Sequence, residues 1–182
     1  MGTLIVVVVI ALVLGAPIVI YNRLVGARNA YKNAFAQIDV QLRRRYDLIP
    51  NLVETVKGYA AHEREVFEEV TSARAGAMQA QGVGSQAEAE NAVTAGLNRL
   101  IAVAERYPDL KANQNFLALQ EELTGTESKI AYARQFYNDE VAALNTRIQS
   151  FPSSVIARMG RFAPREFFEI DEPAKGPVQV EF

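Results

Sequence analysis

The sequence predicts an all-α protein: a single N-terminal transmembrane helix continues into an elongated, antiparallel, coiled-coil-like helical bundle and ends in an extended tail. Three observations predict it. An uncharged apolar run opens the chain, apolar residues recur at 3-4 spacing over two long stretches, and strand patterning is nearly absent. The only β-like run is Val178, Val180 and Phe182 at the C-terminal end.

The apolar run is the first element. It reads TLIVVVVIALVLGAPIVI, eighteen residues without a charge, from Thr3 through Ile10 to Ile20. As a helix it is about 27 Å long, against roughly 30 Å for a bilayer's hydrocarbon core. Gly15 and Pro17 inside it are tolerable in lipid. A cleaved secretory signal is the competing reading. No Lys or Arg precedes the run, the run is long for a signal core, and Pro17 follows the small pair Gly15-Ala16 where cleavage would fall. The absence of cysteine removes a lipoprotein anchor, and Val6 stands where a myristoylation signal wants Ser or Thr. The expectation is a retained, single-pass anchor over residues 1–22. Arg23, Arg28 and Lys32 follow it and no cation side chain precedes it, so the positive-inside rule places the remainder of the chain in the cytoplasm.

Composition bounds the rest. Of 182 residues, about 160 remain beyond the anchor, enough for one domain with a true core. The net charge of −2 creates no global field for nucleic acid, and no nucleic-acid partner is expected. Zero cysteine removes disulfides, thiol catalysis and zinc-thiolate sites. Long proline-free intervals rich in Ala, Glu, Gln, Arg and Leu favour helices.

The bundle is read over residues 23–159. Its first stripe is Tyr31, Phe35, Ile38, Leu42, Arg45, Ile49, Leu52, Val56, Tyr59, Glu63, Val66, Val70, Ala73 and Ala77. The phase does not slip across Pro50. That favours one long helix over residues 23–80, bent where the proline ring removes the hydrogen bond to the Tyr46 carbonyl. The alternative is two helices, with Asp47 as N-cap and Pro50 in the first turn. QGVGSQ at 81–86 reads as a turn, with Ser85 capping a helix over 87–106 and Glu88 as its capping-box partner. Val93, Leu97, Leu100 and Ala104 form the apolar stripe of that helix. A further helix over 109–150 carries Phe116, Leu119, Leu123, Ile130, Tyr137, Val141, Leu144 and Ile148, with a weaker turn at 125–127. Phe151-Pro152 stops it. A short helix at 153–159 and a tail over 160–182 follow.

Catalytic constellations are missing from the sequence. His62 is the single histidine, and no second His follows it at zincin spacing. Acidic pairs such as Glu68-Glu69 and Glu121-Glu122 point about 100° apart on a helix and do not converge on a metal. A di-iron bundle needs Glu-x-x-His motifs that one histidine cannot supply. QGVGSQ lacks the strand and lysine of a phosphate loop. The expectation is a protein that is not an enzyme and holds no cofactor or metal.

Arg43-Arg44-Arg45 invites an anionic partner, but an upright helix would lift Arg43 roughly 35 Å above the apolar core, several Debye lengths away. Ion pairing is the preferred reading: Arg43 with Asp47 at i+4, and Arg45, on the stripe, with a carboxylate across the bundle or between protomers. Glu63 is the second charge on that seam. Candidate tail contacts are Phe162, Phe167, Phe168 and Phe182.

The block NRLVGARNAYKNAFAQIDVQLRRRYDLIPNLVETVKGYAAHEREVFEEVTSARA, and the later FPSSVIARMGRFAPREFFE, resemble the LemA family of bacterial membrane proteins. The segment from Asp47 to Val53 carries the most specific match. The resemblance implies a mostly helical, elongated domain beside a single span in a bacterial cytoplasmic (inner) membrane, with no established enzymatic activity. One branch of the family, in bacteria that make magnetic organelles, is associated with forming the internal membrane. The expected role is a scaffold that self-assembles as a homo-oligomer on the lipid bilayer, organising or remodelling it. A regulatory adaptor that binds another membrane protein through its C-terminal tail is the alternative.

Overall fold

The structure, a computed structural model, describes residues 1–169, except for the side chains at 8, 9, 11 and 12. Its elements are α1 (Gly2–Lys57), α2 (Arg64–Gln79), α3 (Val83–Glu105), α4 (Pro108–Lys111), α5 (Gln114–Gln149) and α6 (Ser153–Met159). The protein is all-α, with no strand among the described residues. The chain divides into two compact units, and both α1 and α5 contribute to each.

The first unit comprises Met1–Asp39 and Ala131–Phe167. Its α1 stripe is Leu24, Ala27, Tyr31, Ala34 and Ile38, all buried, and α5 buries Tyr137, Val141 and Leu144. The 3-4 spacing puts each set on one helix face. The Tyr31 and Phe35 rings meet Tyr137 at centroid distances of 6.4 and 5.7 Å.

The second unit is built on Val40–Ile130. Leu42, Ile49, Leu52 and Val56 of α1 are buried, as are Phe67 and Val70 of α2, Val93, Leu97 and Leu100 of α3, Leu110 of α4, and Phe116, Leu123 and Ile130 of α5. Helices α2 and α3 approach closely where Gly96 lies against Val70. A methyl group added at Gly96 would stand 3.1 Å from the Val70 Cα.

Several sequence expectations need correction. Helix α1 passes through Pro50 as expected of a single helix, but it ends at Lys57 and not at 80. Residues 58–63 form a turn that begins at Gly58, where no side chain favours the helix. The apolar phase carries across this break, so spacing could not reveal it. Helix α3 starts at Val83, with Gly82 as N-cap at φ +91°, four residues before the expected start. Ser85 therefore lies in the first turn, and its hydroxyl donates to the Gln81 and Gly82 carbonyls instead of capping an amide. The helix expected from 109 begins at Gln114, because Asn113 Oδ1 accepts from the Asn115 and Phe116 amides at 2.9 and 3.1 Å and caps it there. The weak turn at 125–127 does not form. The 36 residues of α5 are continuous, and the buried Thr126 hydroxyl donates to the Glu122 carbonyl within the helix.

The apolar run opens α1, and its described side chains face outward: Leu4 is 72% exposed and Leu14 66%. Among the described residues no helix is long and apolar enough to cross a membrane. The central positions 8, 9, 11 and 12 of the run have no described side chains. Val178, Val180 and Phe182, read as β-like, also lie outside the described residues.

Candidate functional site

The most unusual chemistry in the second unit is a charge placed on the seam. Arg45 follows Leu42 and precedes Ile49 on the buried face of α1, and it is only 1% exposed. Burying a guanidinium is costly unless its hydrogens find acceptors. The two terminal nitrogens of Arg45 find them on two other helices, while its buried Nε has no hydrogen-bond partner among the described residues. One terminal nitrogen donates to Glu127 Oε1 of α5 at 2.6 Å and approaches Thr94 Oγ1 of α3 at 3.4 Å. The other donates to Glu90 Oε2 of α3.

Glu90 is as buried as its partner. Its second oxygen accepts from the Tyr46 hydroxyl and from Gln86 Nε2, the latter at 2.8 Å. Gln86 also donates to the Tyr46 hydroxyl at 2.9 Å. Thr94 closes the network by donating to the Glu90 carbonyl at 2.9 Å. A carboxylate with three donors and a guanidinium whose two terminal nitrogens meet two carboxylates form a buried polar core linking α1, α3 and α5. Such a network fixes which helix faces meet. Among the described residues, no group of His, Asp or Glu side chains is arranged to hold a metal ion.

The other seam candidates lie at the surface. Glu63 pairs with Arg106 at 2.9 Å across a partly exposed contact. Arg43 and Asp47 are both exposed. Arg44, their neighbour, reaches Glu122 at 2.8 Å, again in the open. Exposed pairs of this kind are worth at most about 1 kcal/mol. His62 is exposed in the turn after α1.

Sequence reasoning missed Glu90 and Glu127. The signal for Glu90 was present: it lies on the α3 stripe three residues before Val93 and seven before Leu97. A carboxylate in phase with apolar residues is the mark of a partnered buried charge.

In the first unit the described part of the tail packs along its helices. Phe162 meets Tyr21 edge-on at 5.8 Å, with the Arg28 guanidinium 5.3 Å from its ring. The Asn145 amide both donates to the Arg165 carbonyl at 2.9 Å and accepts from the Arg165 N–H at 2.8 Å. The Tyr137 hydroxyl donates to the Glu166 carbonyl at 3.0 Å. Phe167 stays 42% exposed; Phe168, which belongs to the second unit, is buried. Phe182 lies outside the described residues.

An all-helical fold with an ion-pair network buried on its seam defines the class. The chain belongs to the LemA family, whose model matches residues 34–182. It is 25% identical over 180 residues to magnetosome protein MamQ 2 of Paramagnetospirillum magneticum, covering 85% of this chain and 66% of that protein. Magnetosome protein MamQ of Magnetospirillum gryphiswaldense is 24% identical over 180 residues, with the same shares. Protein LemA of Metamycoplasma hominis is 25% identical over 138 residues, covering 75% of this chain and 63% of that protein. The chain thus spans 63 to 66% of these relatives' lengths.

Proposed function

We propose that this protein is a non-enzymatic helical scaffold, held at a bacterial cytoplasmic membrane by residues 3–20 and assembled laterally with copies of itself to organise or remodel the bilayer. The observation that carries this reading is the outward-facing apolar start of α1. Leu4, Ile5, Val6, Val7, Ile10, Val13, Leu14, Ile18 and Val19 are each at least 52% exposed. Apolar surface left in water costs roughly 25 cal/mol per Å², and a contiguous patch of this kind calls for lipid or protein cover. Kinship with proteins named for the magnetosome supports membrane association.

Lateral assembly follows from anchoring. Copies held in one plane meet at high effective concentration, so weak side contacts suffice. The orientation favoured by Arg23, Arg28 and Lys32 puts the bundle in the cytoplasm. Chemical cross-linking in native membranes tests the scaffold. A ladder of multimers is expected, and monomeric bands alone would count against it.

A regulatory adaptor is the second reading, and exposed Phe167 is the observation in its favour. Deleting residues 176–182 separates the two. Loss of a co-purifying membrane protein, with unchanged melting and unchanged multimers, supports the adaptor.

A further inference from the structure

Building on the membrane-anchored reading above, we propose that the corner formed by the end of α5 and α6 is a second bilayer contact, docking an apolar stripe and its flanking arginines onto an anionic leaflet beside the anchor. The stripe is Phe151, Val155 and Met159, spaced four residues apart and 85%, 51% and 78% exposed. Val155 and Met159 share one face of α6, and Phe151 stands bare in the turn just before that helix. Ala157, on the other face of α6, is fully buried. A short element with one face covered and large apolar side chains bare on the other has the character of an interfacial helix.

Its position in the first unit gives the depth. Tyr21 is the residue immediately after the apolar run. The C-terminal end of α6 lies against it: a methyl group at Gly160 would stand 3.2 Å from the Tyr21 ring, and Phe162 packs edge-on to the same ring. Insertion of the run as far as Ile20 therefore brings Gly160, and the stripe ending at Met159, to headgroup level. Tyrosine is a residue favoured at that level.

Charge identifies the surface. No Asp or Glu occurs before Asp39, and none occurs between Glu140 and Glu166. Within those two acid-free stretches lie Arg23, Arg147, Arg158 and Arg161, all exposed. Among the described residues none of the four takes part in an ion pair. Cations without acidic neighbours around a bare apolar stripe match anionic headgroups lying over acyl chains.

Arg161 adds an independent observation. It sits at the C-terminal end of α6 with φ +54°, a left-handed conformation in which glycine is favoured, and the Phe162 amide closes the turn onto the Ala157 carbonyl at 2.9 Å. An exposed arginine thus stands where glycine would be less strained, beside the stripe, and a lipid phosphate there would give its guanidinium a partner.

The chain has no tryptophan, so a single introduced one reports its own surroundings. The full chain carrying I10W, F151W or Y132W is reconstituted in phosphatidylcholine–phosphatidylglycerol vesicles containing brominated lipid. Tyr132 is 78% exposed and lies about 25 Å along α5 from its C-terminal end, which makes it the control. The expected result is blue-shifted emission and quenching for I10W and F151W, with neither for Y132W. M159W is a second probe of the stripe and should follow F151W. Quenching of I10W with F151W and M159W behaving like Y132W overturns this contact but leaves the anchor intact; that is also the outcome if the stripe docks on a protein. No quenching of I10W overturns the anchor itself. In the F151W background, R158Q and R161G should each weaken docking about fivefold at fixed phosphatidylglycerol content. Quenching indifferent to both substitutions and to anionic lipid overturns the headgroup assignment.

Discussion

Arg74 Nε of α2 donates to the Tyr46 carbonyl of α1 at 2.7 Å, and Tyr46 is the residue that Pro50 deprives of its helix partner. A proline inside a helix leaves the carbonyl four residues earlier without an N–H. Here a long side chain from the next helix supplies the missing donor, while α1 runs on to Lys57. The Tyr46 hydroxyl meanwhile serves the Glu90 network. One residue thus ties α1 to α2 by its backbone and to α3 by its side chain.

That relationship sets the first prediction. Arg74→Met removes the Arg74 hydrogen bond to the Tyr46 carbonyl and should cost about 1–2 kcal/mol. Pro50→Ala restores an N–H for the same carbonyl. In the Pro50→Ala background the Arg74→Met penalty should shrink to less than half. Urea unfolding of the four proteins of this cycle measures the coupling, and additive penalties would mean the two residues act separately.

A second prediction concerns the buried pair. Glu90→Leu leaves Arg45 buried with the partly exposed Glu127 and the more distant Thr94 hydroxyl to face it. The expected loss is about 3–5 kcal/mol, toward the lower end because Glu127 remains. Adding Arg45→Met removes the stranded charge and should recover most of the loss. Thermal melts of single and double variants check the recovery.

Two helical glycines should respond in opposite ways. Gly125 lies within α5 with open space where a Cβ would go, so Gly125→Ala should stabilise by about 0.5–1 kcal/mol through helix propensity. Gly96 gains the same propensity but meets the Val70 backbone at 3.1 Å, so Gly96→Ala should be neutral or destabilising. The order of melting temperatures, Gly125→Ala above the parent and Gly96→Ala at or below it, is the readout.

Alkaline stability should report on Tyr137. Burial, chiefly, and the neighbouring Tyr31 and Glu166 raise its phenol pKa above 10, against the opposing effect of Arg165. The folded state then holds the proton more tightly than the unfolded chain. Its contribution is complete below pH 10 and is lost as pH rises from there toward the folded-state value. Tyr137→Phe should be less stable at neutral pH, having lost the hydrogen bond to the Glu166 carbonyl, but its stability should fall less steeply above pH 10. Denaturant midpoints across that range give the slope.

Much of the fold was legible because burial imposes a period. The stripe from Tyr31 to Val56 is nearly all core, and its unbroken phase rightly carried α1 through Pro50. The same phase concealed the turn at Gly58, since a helix break that keeps the register leaves no mark on spacing. Gly125 misled in the other direction: in a 36-residue helix held by buried Leu123 and Ile130, one glycine's propensity cost is small. Arg45 was visible as a charge on the stripe. Its partners were not, because Glu90 is 45 positions and Glu127 is 82 positions away, and local pattern cannot pair residues so distant.

The proposed membrane attachment has a direct test. Membranes containing the full chain are washed with alkaline carbonate, alongside membranes containing a chain lacking residues 3–20. Retention of the full chain in the pellet, with release of the truncated one, is the expected result. Release of both, or retention of both, would contradict attachment through the N-terminal run.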